Sequence, residues 1–101
     1  VDGHAKARES SKRYQVKTVS LGDLLVRHHA PAELDYLSID TEGSEFEILQ
    51  SVDFAKYPFK TITCEHNFTS AREKIHALLK AAGYVRKYEG LSEFDDWYVR
   101  V

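Results

Sequence analysis

The stretch from Asp35 to Glu45, DYLSIDTEGSE, constrains this chain more than any other. Tyr36 to Ile39 is short, apolar and bounded by polar residues, the pattern of a strand in a sheet covered on both faces. Gly43 permits a tight turn. Ser44 with Glu47 three residues later forms a capping box, so a helix is expected from Glu45 to about Ser51, with Phe46 and Leu49 facing the sheet. Asp40 and Glu42 then sit at the carboxyl end of a strand, where open α/β sheets bind ligands.

The next strand is expected over Lys60 to Glu65, with Ile62 and Cys64 alternating with Thr61, Thr63 and Glu65. Strand, helix, strand implies a right-handed crossover and parallel pairing. Asp40 shares a side with Tyr36 and Ser38, and Glu65 shares one with Thr61 and Thr63. In simple register both carboxylates reach the same sheet edge and face one cleft. Ser70 with Glu73 is a second capping box, and each such cap contributes ~1 kcal/mol. Ile75, Leu78, Leu79 and Ala82 repeat at helical spacing up to Gly83, a good helix stop, with His76 on the exposed or flanking side. Tyr84 to Tyr88 and Trp97 to Val101 are strand-like and far enough apart to pair as antiparallel neighbours. Trp97, Val99 and Val101 alternate with Tyr98 and Arg100, which gives one face to pack on the sheet.

Upstream, Val16 to Val19 is a β-prone run, and Ser20 can cap a helix carrying Leu21, Leu24 and Leu25 on one stripe. Asp23 in its first turn, and Arg27, His28 and His29 near its end, suit the helix dipole. Pro31 stops it. His28 and His29 are poor joint metal ligands, because adjacent helical residues point apart. Residues 1–15 are polar, with Lys6, Arg8, Lys12 and Arg13 against Asp2 and Glu9, and are expected to be a tail or the remnant of an upstream element.

Composition narrows the function classes. A chain of 101 residues suits one small domain, and a net charge of -2 offers no field to hold nucleic acid or an acidic membrane. No apolar run approaches the ~20 residues of a membrane span. No signal peptide is visible, and Cys64, the only cysteine, cannot form an intrachain disulfide, so a cytoplasmic, reducing location is expected. The chain has no Met and opens on Val1, which fits a trimmed start and a piece of a longer protein equally well.

Asp35 to Leu49, Ile62 to Asn67, Arg72 to Tyr84 and Asp95 to Val99 together resemble the FkbM family of S-adenosylmethionine-dependent methyltransferases. Thr18 to Leu25 is similar too, with Gly22 where the family often carries an acid. The resemblance covers residues 16–101. It implies an α/β fold: the C-terminal half of a Rossmann-like class I methyltransferase sheet, with parallel strands and a terminal antiparallel pair. It also implies methyl transfer to a hydroxyl of a small molecule or sugar, with S-adenosylmethionine as cofactor in the intact protein. The family's glycine-rich cofactor loop and ribose-binding acid lie upstream. Gly3, Gly22, Gly43, Gly83 and Gly90 include no Gly-x-Gly, so this chain alone is expected to be inactive, and its cofactor-binding residues stay unassigned.

Hydroxyl methylation needs a base or a metal, plus positioning. The catalytic candidates are Asp40, Glu42 and His66; the substrate-binding candidates are Glu65, Asn67 and Asp95. In one reading Asp40, Glu65 and Asn67 hold a hard divalent cation such as magnesium. In another, His66 is the general base, oriented by an acid. In the plainest, these residues only cap turns and loops. Two other classes remain. Asp-Thr-Glu after an apolar strand also resembles the first acidic motif of two-metal exonucleases, although a capped helix follows where those have a strand. A non-catalytic half-domain would serve as an interaction module, its exposed sheet edge favouring a homodimer. Cys64 reads as core. Asn67-Phe68-Thr69 matches the glycosylation sequon by coincidence, and Tyr84, Tyr88, Trp97 and Tyr98 read as sheet packing.

Overall fold

Helical and period-two patterns become seven elements in a computed structural model that describes residues 13–66, 70–91 and 93–101. In chain order they are α1 (Leu21–Arg27), β1 (Tyr36–Ile39), α2 (Glu45–Gln50), β2 (Thr61–Glu65), α3 (Ala71–Ala81), β3 (Tyr84–Lys87) and β4 (Asp95–Arg100). The strands form one mixed sheet in the order β1-β2-β4-β3. β1 runs parallel to β2, while β4 is antiparallel to both β2 and β3. The β1–β2 link is long because a parallel pair needs a crossover, and α2 lies within it.

Alternation along the strands decides the core. Ile39, Ile62, Cys64, Tyr84 and Tyr98 point to one face and pack with Leu49 of α2 and Ile75 and Leu79 of α3. Tyr57 and Phe59 complete this core, and the Tyr84 hydroxyl donates to the Phe59 carbonyl at 2.7 Å. The opposite face is open among the described residues: Tyr36 is 55% exposed, Trp97 44% and Val85 38%. Among the described residues β1 is therefore covered on one face only, not on both, because α2 and α3 share the inner side. The phase of β4 also differs from expectation. It starts at Asp95, so Asp96 and Tyr98 point inward and Trp97 and Val99 outward. On the outer face the Tyr36 hydroxyl meets Thr63 Oγ1 at 2.6 Å, which explains why Thr63 is buried there.

The helix ends show which caps form. Ser20 Oγ accepts from the Asp23 N–H at 3.1 Å, as its position predicts. Neither Ser44 nor Ser70 caps with its side chain. Ser44 Oγ instead donates to Thr41 Oγ1 at 2.8 Å, and Ser70 already has helical dihedrals. α1 closes at His28 and His29, the latter at φ 52°, before Pro31 is reached. Val16 to Val19 has no strand partner among the described residues. Gly22 has a packing reason: its N–H donates to Ser51 Oγ at 3.1 Å, and a Cβ there would collide with the Ser51 carbonyl oxygen. No described helix is long and apolar enough to cross a membrane. Residues 1–12 of the expected tail lie outside the described residues.

Candidate functional site

The parallel register Ile39↔Cys64 ends β1 and β2 side by side, so the segments that leave them, from Asp40 and from His66, start from one sheet edge. The expected adjacency of Asp40 and Glu65 follows from that register. After β1 the chain turns through Glu42 at φ 56° and Gly43 at φ 126°. A left-handed Glu is uncommon and persists only where its surroundings hold it. Here the Glu45 carboxylate holds the turn, accepting from the N–H of Thr41 at 2.9 Å, the Thr41 hydroxyl at 3.2 Å and the N–H of Gly43 at 2.9 Å. Burial raises the Glu45 carboxyl, but the Glu45, Thr41 and Gly43 backbone N–H groups and the Thr41 hydroxyl together outweigh it and hold it below its ordinary value.

A cavity of about 420 Å³ opens at this edge, lined by Glu42, Gly43, Glu45, Glu65, His66, Ser70 and Ala71. Its chemistry is acidic, with one imidazole. His66 is 3% exposed, and its backbone N–H donates to the Phe94 carbonyl at 2.8 Å, which ties the end of β2 to the start of β4. Its Nε2 lies 3.9 Å from Asp96 Oδ1. Asp96 is gripped in turn by Arg72, whose Nε donates to Oδ2 and Nη2 to Oδ1, both at 2.8 Å. That fork raises the Arg72 pKa further and keeps the guanidinium charged.

Of the residues that the sequence nominates, the cavity brings together Glu42, Glu65 and His66. Asp40 is exposed and does not line it. Asp95 is exposed on the outer face, opposite Glu65 in the register, and is not a lining residue either. Asn67 lies outside the described residues. No group of three or more His, Cys, Asp or Glu among the described residues could hold a metal ion, so the metal set built on Asp40, Glu65 and Asn67 gains no support. The same is true of His28 with His29.

Sequence reasoning missed Glu45 and Arg72, and it did not decide the strand phase that buries Asp96 and leaves Asp95 exposed. One signal pointed to Arg72. Arg72 stands in the first turn of α3, where the helix dipole disfavours a cation and a specific anionic partner is needed to keep it.

Comparison with known proteins gives one match. The model of the Methyltransferase FkbM domain aligns with residues 2–86. No curated protein and no solved structure matches. The matched residues include β1, the Glu42–Gly43 turn, Glu45, Glu65, His66 and Arg72, which is most of the site just described. This chain therefore belongs to the FkbM methyltransferase domain family.

Proposed function

We propose that this chain forms the acceptor side of an S-adenosylmethionine-dependent methyltransferase site that works on a hydroxyl oxygen of a small molecule or sugar. The observation that carries this reading is His66 in an acid-lined cavity at the carboxyl ends of the parallel strands, in a chain of a methyltransferase family. We also read the sheet as the C-terminal half of a Rossmann-like sheet, with the last strand inserted antiparallel between β2 and β3. This reading is supported by the helix-linked parallel pair and the order β1-β2-β4-β3.

The cofactor fits these residues in part. A sulfonium is cationic, and the carboxylates of Glu42 and Glu65 border the cavity. The backbone cradle of a Gly-x-Gly turn is not among these 101 residues, and the Gly43 N–H is committed to Glu45. When bound, the cofactor supplies an electrophilic methyl carbon. Glu42 and Glu65 accept hydrogen bonds from the acceptor's hydroxyls and fix their orientation. His66 would take the proton of the reacting hydroxyl, which leaves the oxygen with a lone pair to present.

The test is calorimetric titration of S-adenosylmethionine into the chain, followed by transfer of a labelled methyl group to a panel of hydroxylated small molecules. Saturable binding, with transfer lost in His66→Gln and binding kept, supports the proposal. Transfer that survives His66→Gln, Glu42→Gln and Glu65→Gln overturns it. A second reading, an interaction module that self-associates, rests on the open sheet face and on the outer edge of β1, which has no strand partner among the described residues. A solution mass that stays monomeric at every concentration removes it.

A further inference from the structure

Three ionisable side chains at and behind the cavity wall come from three separate places. Arg72 belongs to the first turn of α3, Asp96 to β4, and His66 to the segment that leaves β2. The Asp96 side chain is 2% exposed, that of His66 2% and that of Arg72 19%. Burying an acid at that depth is costly unless it is paired and hydrogen-bonded. The Arg72 fork meets that need with two bonds of 2.8 Å, in a planar geometry that fixes the carboxylate as well as neutralising it. The same Oδ1 that accepts from Arg72 Nη2 faces His66 Nε2 at 3.9 Å. The imidazole thus stands beside an oxygen that cannot rotate away. Arg72 and Asp96 take no place among the cavity-lining residues, so their effect on chemistry must pass through the ring.

We propose that Arg72 and Asp96 are positioning residues for His66: Arg72 locks the Asp96 carboxylate, and Asp96 keeps the imidazole proton on Nε2, which leaves Nδ1 as the basic nitrogen. This rests on the reading of His66 as proton acceptor and supplies the orienting acid that a histidine base needs. The separation of 3.9 Å is longer than a hydrogen bond, so Asp96 acts on the ring as a fixed charge that shortens its contact when the cavity is filled. The competing charges are Glu65, Asp95, Glu45 and Glu42. All four are carboxylates; Glu65 and Asp95 sit on the outer-face phase and Glu45 is committed to its turn.

The experiment is nitrogen-15 NMR of the histidine-labelled chain at one fixed alkaline pH, with His66→Gln assigning the signal. Wild type should show His66 as the Nε2–H tautomer. In Asp96→Asn, Arg72 claims the amide oxygen and the amide N–H₂ turns toward Nε2, so the signal should move to the Nδ1–H tautomer or an even mixture. A folded Asp96→Asn chain with an unchanged tautomer overturns the proposal, as does a wild type that already carries Nδ1–H. Should Asp96→Asn not fold, Arg72→Lys decides: it keeps the charge but loses the fork, and a tautomer bias that survives it is equally fatal. None of these readouts needs cofactor or acceptor. A correct tautomer in a chain that transfers no methyl group therefore defeats the proposed function alone.

Discussion

The two faces of the sheet share the same strands and solve opposite problems. The inner face is closed by α2 and α3, and it pairs the Tyr84 hydroxyl with a carbonyl and Asp96 with an arginine fork. The outer face carries large side chains in the open, Tyr36, Trp97 and Val85 among them, with Lys87 beside Trp97 in the register. At the carboxyl end of β2 the contrast becomes chemical. Glu65 and Asp95, opposite one another, belong to the outer phase, whereas Cys64 and Asp96, one residue away on each strand, belong to the inner one. A period of two thus puts Glu65 and Asp95 on one face and a buried acid in an arginine fork on the other.

Large-to-small changes should break the symmetry of the faces most. Leu79→Ala empties a fully buried position of α3 and should cost about 2–5 kcal/mol. Val85→Ala on the outer face should stay within about 0.5 kcal/mol. Urea unfolding of the two variants measures the gap; equal losses would mean that the outer face is covered in solution. The next largest contrast lies between two neighbouring acids. Asp96→Ala leaves the Arg72 guanidinium without its carboxylate, and breaking such a pair typically costs 3–5 kcal/mol when both groups are buried; with Arg72 19% exposed, about 2 kcal/mol is expected. Asp95→Ala, at an exposed position, should cost less by the same unfolding assay.

These contrasts also mark what could be read from the amino acids. Element identity was legible where periodicity was long or turns were specific, as in Ile75, Leu78, Leu79 and Ala82 of α3 and the Asp40–Gly43 turn. The parallel β1–β2 pairing was legible too, since order leaves few choices; it put Asp40 and Glu65 at one sheet edge, where Glu65 lines the cavity and Asp40 does not. Coverage of β1 was not legible. An apolar run of four residues looks alike whether one face or two are buried, and only α2 and α3 sharing a side decides it. The phase of β4 failed for a related reason: Trp97 and Tyr98 are both large, so hydrophobicity could not say which faces inward. The capping boxes failed for separate reasons: Ser44 Oγ donates to Thr41 Oγ1, and Ser70 already has helical dihedrals.

Glu45 sharpens the comparison through pH. Its folded pKa lies below the ordinary glutamate value of 4.5. Its contribution is therefore fully present above pH 4.5 and is lost as the pH falls through the depressed folded value. Glu45→Gln should cost about 1–2 kcal/mol at neutral pH, since charge-assisted bonds become neutral ones. The difference from wild type should shrink as urea unfolding is repeated below pH 4.5. Glu47→Gln, on an exposed position of the same helix, should show neither effect.

The smallest expected signal is an absence of reaction. Cys64 lies on the inner face at 2% exposure. Burial, followed by the carboxylates of Glu45, Asp96, Asp95 and Glu65, pushes its thiol up to about 12. At pH 8 that leaves a thiolate fraction on the order of one in ten thousand, and the thiolate is the reactive form. Iodoacetamide should therefore give no adduct by mass spectrometry in the native chain and complete reaction in denaturant. Adduct forming at the rate of global unfolding would show that the inner face opens only as a unit. Adduct forming faster would show that the cavity end of β2 opens by itself, which would place the site, and not the core beneath it, among the least stable parts of the molecule.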